Sequence, residues 1–285
     1  MSSSIPRFLS SVLVLDSRWA AAIAVAFALA PAPAVAADSQ RNWDFDVGVG
    51  VAVAPDYEGA SATSARLRIW ADGAYHTTGY GSFALDSGSL TIAPEARWDI
   101  VDRSDMGAGM LVGYRSGRSD RSPGFTSVSD GSARLRGLPD VSDAVDAGVA
   151  GHVTVLGVPW FAQLRAALGS SQGSIGILGV YLPLEPTPGL ELTFLPTVTW
   201  ANARQMRAFF GVSPEAAQAS GFEPYDPGGG WQSAAIEIAA DWHIAGGWHL
   251  VGSVAYERLL GDAAGSPIVQ TPNQPSALAG VTLAF

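Results

Sequence analysis

Few side chains in this 285-residue chain could carry acid–base or nucleophilic chemistry. It has four histidines, His76, His152, His243 and His249, and no cysteine. Thiolate catalysis, thiolate metal sites and a disulfide framework are therefore excluded. A serine hydrolase needs a hydroxyl, an imidazole and a carboxylate in hydrogen-bonding sequence. None of the four histidines sits in a local motif with a nearby serine and acid. The best grouping is Asp241, His243 and His249, which surrounds the turn Ala245-Gly246-Gly247. Such nitrogen and oxygen donors can bind a metal, but separation across a turn is not a ligand motif, and polar side chains at a wet turn are the simpler reading. The expectation is no catalytic residue, no cofactor-binding residue and no metal ligand. Asp56 and Glu58 could attract cations, although solvated loop charge is the expected state for both.

The elements that position these residues follow from composition and periodicity. Hydrophobic residues make up 48% of the chain and charged residues only 15%, against about 25% charged in a typical soluble domain. Beyond the N-terminus no stretch approaches the ~18 uninterrupted apolar residues of a membrane helix. A transmembrane barrel reconciles the two facts, because its strands need apolar groups only at alternate positions. The net charge of −10 argues against nucleic acid as a partner, since phosphates would be repelled.

At the N-terminus Arg7 and Arg18 precede the apolar run Ala20–Ala30, then Pro31, Pro33 and the small-residue site Ala34-Val35-Ala36. That is the order of parts in a secretory signal peptide, and the run is too short to span a bilayer. Residues 1–36 are expected to be removed, leaving 37–285 as one barrel domain.

Alternation is regular from Phe45, with Phe45, Val47, Val49, Val51 and Val53 apolar against Asp46, Gly48, Gly50 and Ala52. The period recurs over Leu190–Trp200, over Ile236–Trp242 and over Leu90–Ile100, where Leu90, Ile92, Ala96, Trp98 and Ile100 share a face. The reading is an all-β, transmembrane antiparallel up-and-down barrel of about twelve strands. They fall near 44–54, 64–75, 78–85, 89–100, 105–115, 143–156, 158–168, 174–183, 189–201, 231–243, 247–258 and 276–285. If the first strand leaves the periplasm, the long connections 115–142, 202–230 and 259–275 all fall outside, and the tight turns at Val101–Ser104 and Ala245–Gly247 fall inside the periplasm. Trp160, Trp200, Trp242, Trp248, Tyr114 and Tyr256 lie near strand ends, as interfacial girdles require. Phe285 ends an alternating strand with Leu283, Val281 and Ala279 on its face, which resembles the signal read by the outer-membrane assembly machinery. No internal repeat is evident beyond the hairpins.

The opposite face of the strands would line the lumen with Arg66, Arg68, Asp72, Glu95, Arg97, Asp99, Arg115, Asp146, Arg165, Glu191, Glu237, Asp241 and Glu257. Mixed signs inside a narrow barrel can pair and brace the wall, or can line a selective channel. Bracing is the expectation.

Three stretches resemble the MltA-interacting protein family, also called the MipA/OmpV family. They are Pro55-Asp56-Tyr57-Glu58-Gly59; Phe209-Phe210-Gly211-Val212-Ser213 with Ala219-Ser220-Gly221 and Tyr225 following; and Leu260-Gly261-Asp262-Ala263 followed by Ser266-Pro267-Ile268-Val269. Phe209, where the family commonly has Tyr, and Leu283, where it has an aromatic, depart from the pattern. The resemblance implies a barrel of the bacterial outer membrane in contact with lipid. It also implies a non-enzymatic scaffold or envelope-maintenance role, joining a lytic murein transglycosylase to a peptidoglycan synthase. The competing readings are a small-solute channel or receptor and, third, a lipid-modifying barrel enzyme.

Overall fold

The computed structural model describes residues 43–76, 81–127 and 130–285, so the signal-peptide reading of residues 1–36 lies outside the described residues. Twelve antiparallel strands follow in chain order: β1 (Trp43–Pro55), β2 (Thr63–His76), β3 (Ser82–Asp86), β4 (Glu95–Asp102), β5 (Met106–Arg115), β6 (Ala144–Val155), β7 (Val158–Leu168), β8, β9 (Leu190–Ala201), β10 (Gly230–Ala245), β11 (Trp248–Leu259) and β12 (Asn273–Ala284). β8 is interrupted at Tyr181 into Ser174–Val180 and Leu182–Thr187, and both segments pair with β9. Each strand pairs with its chain neighbours, and β1 closes the sheet against β12, with Val47 opposite Leu283 and Val53 opposite Ala277. Closure joins the first strand to the last, so that the sheet returns on itself in hydrocarbon, which offers backbone groups no other partner.

The register carries the alternation around the whole wall. Val49 lies opposite Ile69 and Val281, Met110 opposite Trp98 and Val149, and Phe194 opposite Ile238. All of these face outward. Trp160, Trp200, Trp242, Trp248 and Tyr256 are exposed on that surface near strand ends, as the girdle reading expects. No helix among the described residues is long and apolar enough to cross a membrane.

The expected fourth strand is corrected. Residues 89–94 are not strand, and Ile92 is buried rather than lipid-facing. Gly88 takes a left-handed φ of 82°, Ser89 N donates to the Ile92 carbonyl at 2.8 Å, and Pro94 has no N–H to give a ladder. The chain therefore turns inward where periodicity alone predicts a continuous strand. As a result β3 pairs with β2 only from Gly73 to His76. Above that level other groups meet the edge of β2. Leu67 N donates to the Phe125 carbonyl at 2.6 Å, the Ser87 hydroxyl bonds the Ala71 carbonyl at 2.7 Å, and Arg66 pairs with Asp130 at 2.5 Å.

The turns at Arg103–Asp105, Leu156–Gly157, Pro188–Gly189 and Gly246–Gly247 share one end of the barrel with Trp43 and Phe285. The long connections gather at the other end. There, three short helices that the alternation does not signal are built into the loops: α1 (Ala203–Phe210), α2 (Pro214–Ser220) and α3 (Gly261–Ala264).

Candidate functional site: a braced and capped lumen

Mixed charge on the inner face resolves into a chain of pairs. Arg115 grips Asp146 with two parallel contacts, Nε to Oδ2 at 2.8 Å and Nη2 to Oδ1 at 2.8 Å. Asp146 also meets Arg165 at 3.3 Å, and Arg165 reaches Glu95 at 3.5 Å. Those two are charge contacts rather than aligned hydrogen bonds, because Arg165 Nε and Glu95 Oε2 have no hydrogen-bond partner. Arg165 spends its remaining donors on the carbonyls of Ala93 and Pro94. Arg97 continues the chain to Glu95 at 3.2 Å and Asp99 at 2.9 Å. Gly113 is obligatory here, since a Cβ would overlap the Arg165 guanidinium. Of the inner-face residues expected to brace the wall, Glu95, Arg97, Asp99, Arg115, Asp146 and Arg165 do so here, and they compensate one another where burial would otherwise penalise each charge.

A tryptophan fills the lumen on the opposite side. Trp70 is 1% exposed, points inward from β2, and lies over Gly48 and Gly280, at neither of which a Cβ would fit. Residues 87–94 fill more of the lumen by crossing it to β10. Ser89 Oγ donates to Glu237 Oε2 at 2.7 Å, Thr91 Oγ1 to the same oxygen at 2.9 Å, and Leu90 N to Oε1 at 3.3 Å.

The loop end is covered by a folded cap. Asn202 accepts from Gln205 N and starts α1, while Ser213 with Pro214 starts α2, both favoured N-terminal arrangements. The apolar face of α1 (Met206, Phe209, Phe210) packs on Ile175, Ile177, Leu195 and Ala201 of the inner wall. A second cluster joins Tyr57, Ala60, Leu135, Leu138, Val212, Ala216 and Ile268, drawn from four different loops. Hydrogen bonds tie the same loops together: Tyr57 OH to the Ile268 carbonyl at 3.1 Å, Ser266 Oγ to the Phe210 carbonyl at 2.6 Å, Gln270 N to the Gly59 carbonyl at 2.8 Å, and Tyr225 OH to the Asp262 carbonyl at 2.8 Å. The three family-like stretches of the sequence thus meet in one cap. Their signal was present as family-like residue spacing in the loops, but nothing local said that they touch.

One expectation about the cap is corrected. Glu58 is not a solvated loop charge. It is partly buried and accepts a hydrogen bond from Gln232 Nε2 at 2.8 Å. Burial pushes its carboxyl up to about 8, the charges of Glu257 and Asp130 push the same way, and the Gln232 bond and Arg118 oppose them. Asp56 is likewise drawn in, with Oδ1 buried and lacking a hydrogen-bond partner.

At the turn end the Asp241, His243 and His249 grouping does assemble. His249 Nδ1 lies 2.5 Å from Asp241 Oδ1, the two imidazoles meet edge to face at 5.2 Å, and His243 Nε2 lies 2.8 Å from the Gly246 carbonyl. The Asp241 contact at Nδ1 fixes the orientation of the His249 ring. Among the described residues no cluster of three or more His, Asp or Glu is arranged to hold a metal ion.

The family model described as "MltA-interacting protein MipA" matches residues 47–285. The MltA-interacting proteins of Escherichia coli (strain K12) and of Shigella flexneri are each 26% identical over 162 residues, which is 56% of this chain and 64% of theirs. The match therefore spans somewhat under two thirds of those relatives. Among solved structures, the NanC porin is similar at a TM-score of 0.43 and 9% identity, covering 84% of this chain and 98% of that one. The translocator domain of autotransporter NalP from Neisseria meningitidis gives 0.42 and 12%, covering 94% and 95%.

Proposed function

The chain belongs to the MltA-interacting protein MipA family, and from that premise we propose that this outer-membrane barrel is a non-enzymatic scaffold of the cell envelope. In this reading it holds a lytic murein transglycosylase, and through it a peptidoglycan synthase, at the inner surface of the outer membrane. The observation that carries the proposal is the occupied lumen. The arginine chain, Trp70 and residues 87–94 project into the space through which a channel would conduct, and the cap lies over one end of it. What remains for recognition is the surface at the two ends.

The turn end, which this reading places in the periplasm, has one feature suited to contact. Leu156 is 99% exposed and adopts a left-handed φ of 53°. Asn or Gly would take that turn position at less cost, and a strained, exposed leucine supports a binding role. The test is crosslinking capture of the transglycosylase from envelopes by the intact protein and by Leu156→Asn. Capture by the intact barrel and its loss in the variant, with refolding unimpaired, supports the scaffold. Failure of the intact barrel to capture, together with stepwise conductance in planar bilayers, would favour the channel instead.

A further inference from the structure

The outward wall at the turn end is laid down in rows that cross the strands. Trp43 of β1 lies opposite Tyr75 of β2, Tyr75 opposite Phe83 of β3, Phe83 opposite Trp98 of β4, and Trp98 opposite Met110 of β5. The Phe83 and Trp98 rings stack at 5.7 Å. These large side chains make a continuous ridge, and its tryptophans and tyrosine belong at the level of the lipid headgroups. The next outward row lies two residues, or about 7 Å, along the strands toward the membrane interior. It consists of Phe45, Gly73, Leu85, Ala96 and Val112 in the same register, so large and small side chains alternate.

The small residues Gly73 and Ala96 leave a groove of about 650 Å³ beside the ridge, a volume inside the ~300–1,000 Å³ range of ligand pockets. Its lining is apolar. The two charged residues on its border, Asp44 and Arg97, alternate with Phe45 and Trp98 and so belong to the opposite face of their strands. Arg97 is held on that face by Glu95 and Asp99.

We propose that this groove binds one phospholipid, through an acyl chain seated over Gly73 and Ala96 with the headgroup at the level of the aromatic ridge. The groove opens on the membrane, so hydrocarbon chains are what reaches it, and an apolar chain asks for no hydrogen-bond partner. A flat wall touches a chain on one side only. A groove surrounds it, and dispersion attraction grows with the number of contacts, so this lipid outlasts the rest during extraction. Bound there, the chain also backs the wall where its pairing is shortest, because β3 meets β2 only from Gly73 to His76.

The test refolds the full barrel in vesicles of palmitoyl-oleoyl phosphatidylethanolamine, transfers it to dodecyl maltoside and weighs it intact by native mass spectrometry. Wild type is expected to carry the mass of one phospholipid after the bulk lipid is washed away. Ala96→Trp fills the groove and is expected to lose that mass; Ala96→Leu, a smaller filling, serves where the tryptophan variant fails to fold. Val254→Trp places the same indole on the exposed wall of β11, outside the groove, and is expected to keep the lipid. A bare wild-type barrel would overturn the proposal. So would a lipid that survives in a folded Ala96 variant, or one lost equally from Val254→Trp. A wild-type mass of two barrels that the Ala96 variants abolish would give the groove to a second copy and overturn it as well.

Discussion

The indole N–H of Trp70 donates to the hydroxyl of Thr282 at 3.1 Å, tying β2 to β12 across the intervening β1. The ring passes over Gly48 of β1 and Gly280 of β12, so a single side chain spans the seam where the barrel closes. The two glycines are the space that the tryptophan occupies.

That packing predicts a coupled pair of substitutions. Trp70→Ala should cost about 3–5 kcal/mol by opening a cavity, and Gly48→Val about 1–3 kcal/mol by overpacking. In the double variant the valine no longer meets an indole, so the combined loss should fall below the sum. Urea midpoints of the four proteins in micelles measure this. Strict additivity would show that the ring does not lie over Gly48.

Outward and inward positions of β1 should respond differently to charge. Val49→Arg places a cation on the lipid face and should cost about 2–4 kcal/mol in lipid vesicles. Cysteines at 49 and 52 should both resist water-soluble thiol reagents until the barrel is unfolded, one shielded by lipid and the other by burial on the inner face, where Ala52 is 1% exposed. Rapid labelling at 52 in folded protein would indicate a wet lumen there.

Removing the shared carboxylate of the arginine chain should be severe. Asp146→Ala leaves Arg115 and Arg165 facing each other without compensation, and losing one partner of a buried pair typically costs about 3–5 kcal/mol. Asp146→Asn keeps acceptor oxygen and volume and should cost less. Unfolding midpoints in matched micelles rank the two, and equal midpoints for wild type and alanine variant would refute the bracing role.

Glu58 makes the cap sensitive to pH. Its carboxyl titrates near 8 in the folded cap and near 4.3 in an unfolded chain. The folded state therefore holds the proton longer, and the stabilisation, complete below the unfolded value, is lost as pH rises through the folded one. Protease nicking within loops 56–62 and 260–272 should increase between about pH 5 and pH 8. Glu58→Gln, which cannot ionise, should flatten the profile. An unchanged profile in that variant would assign the pH response to another group.

The strands and their faces were legible in the sequence because each is a local pattern. A period of two fixes which side of a strand meets lipid whatever its neighbours are, so Val47, Val49 and Val51, the lumen set from Arg66 to Glu257 and the terminal strand to Phe285 could all be placed from the chain alone. Even the short turns were readable, since Gly246 is the residue that tolerates the left-handed φ of 58° found there. Periodicity misled at Leu90 and Ile92 because an inward-folded loop can alternate as a strand does. The difference lies in a hydrogen-bond partner, Glu237, 147 positions away from Leu90. Which arginine pairs with which carboxylate, that Glu58 is drawn inside, and that three separated loop motifs form one cap were likewise settled only by the closed barrel. Each depends on strand register and on the tilt that brings distant loops over one mouth, and neither quantity is written in any local stretch of sequence.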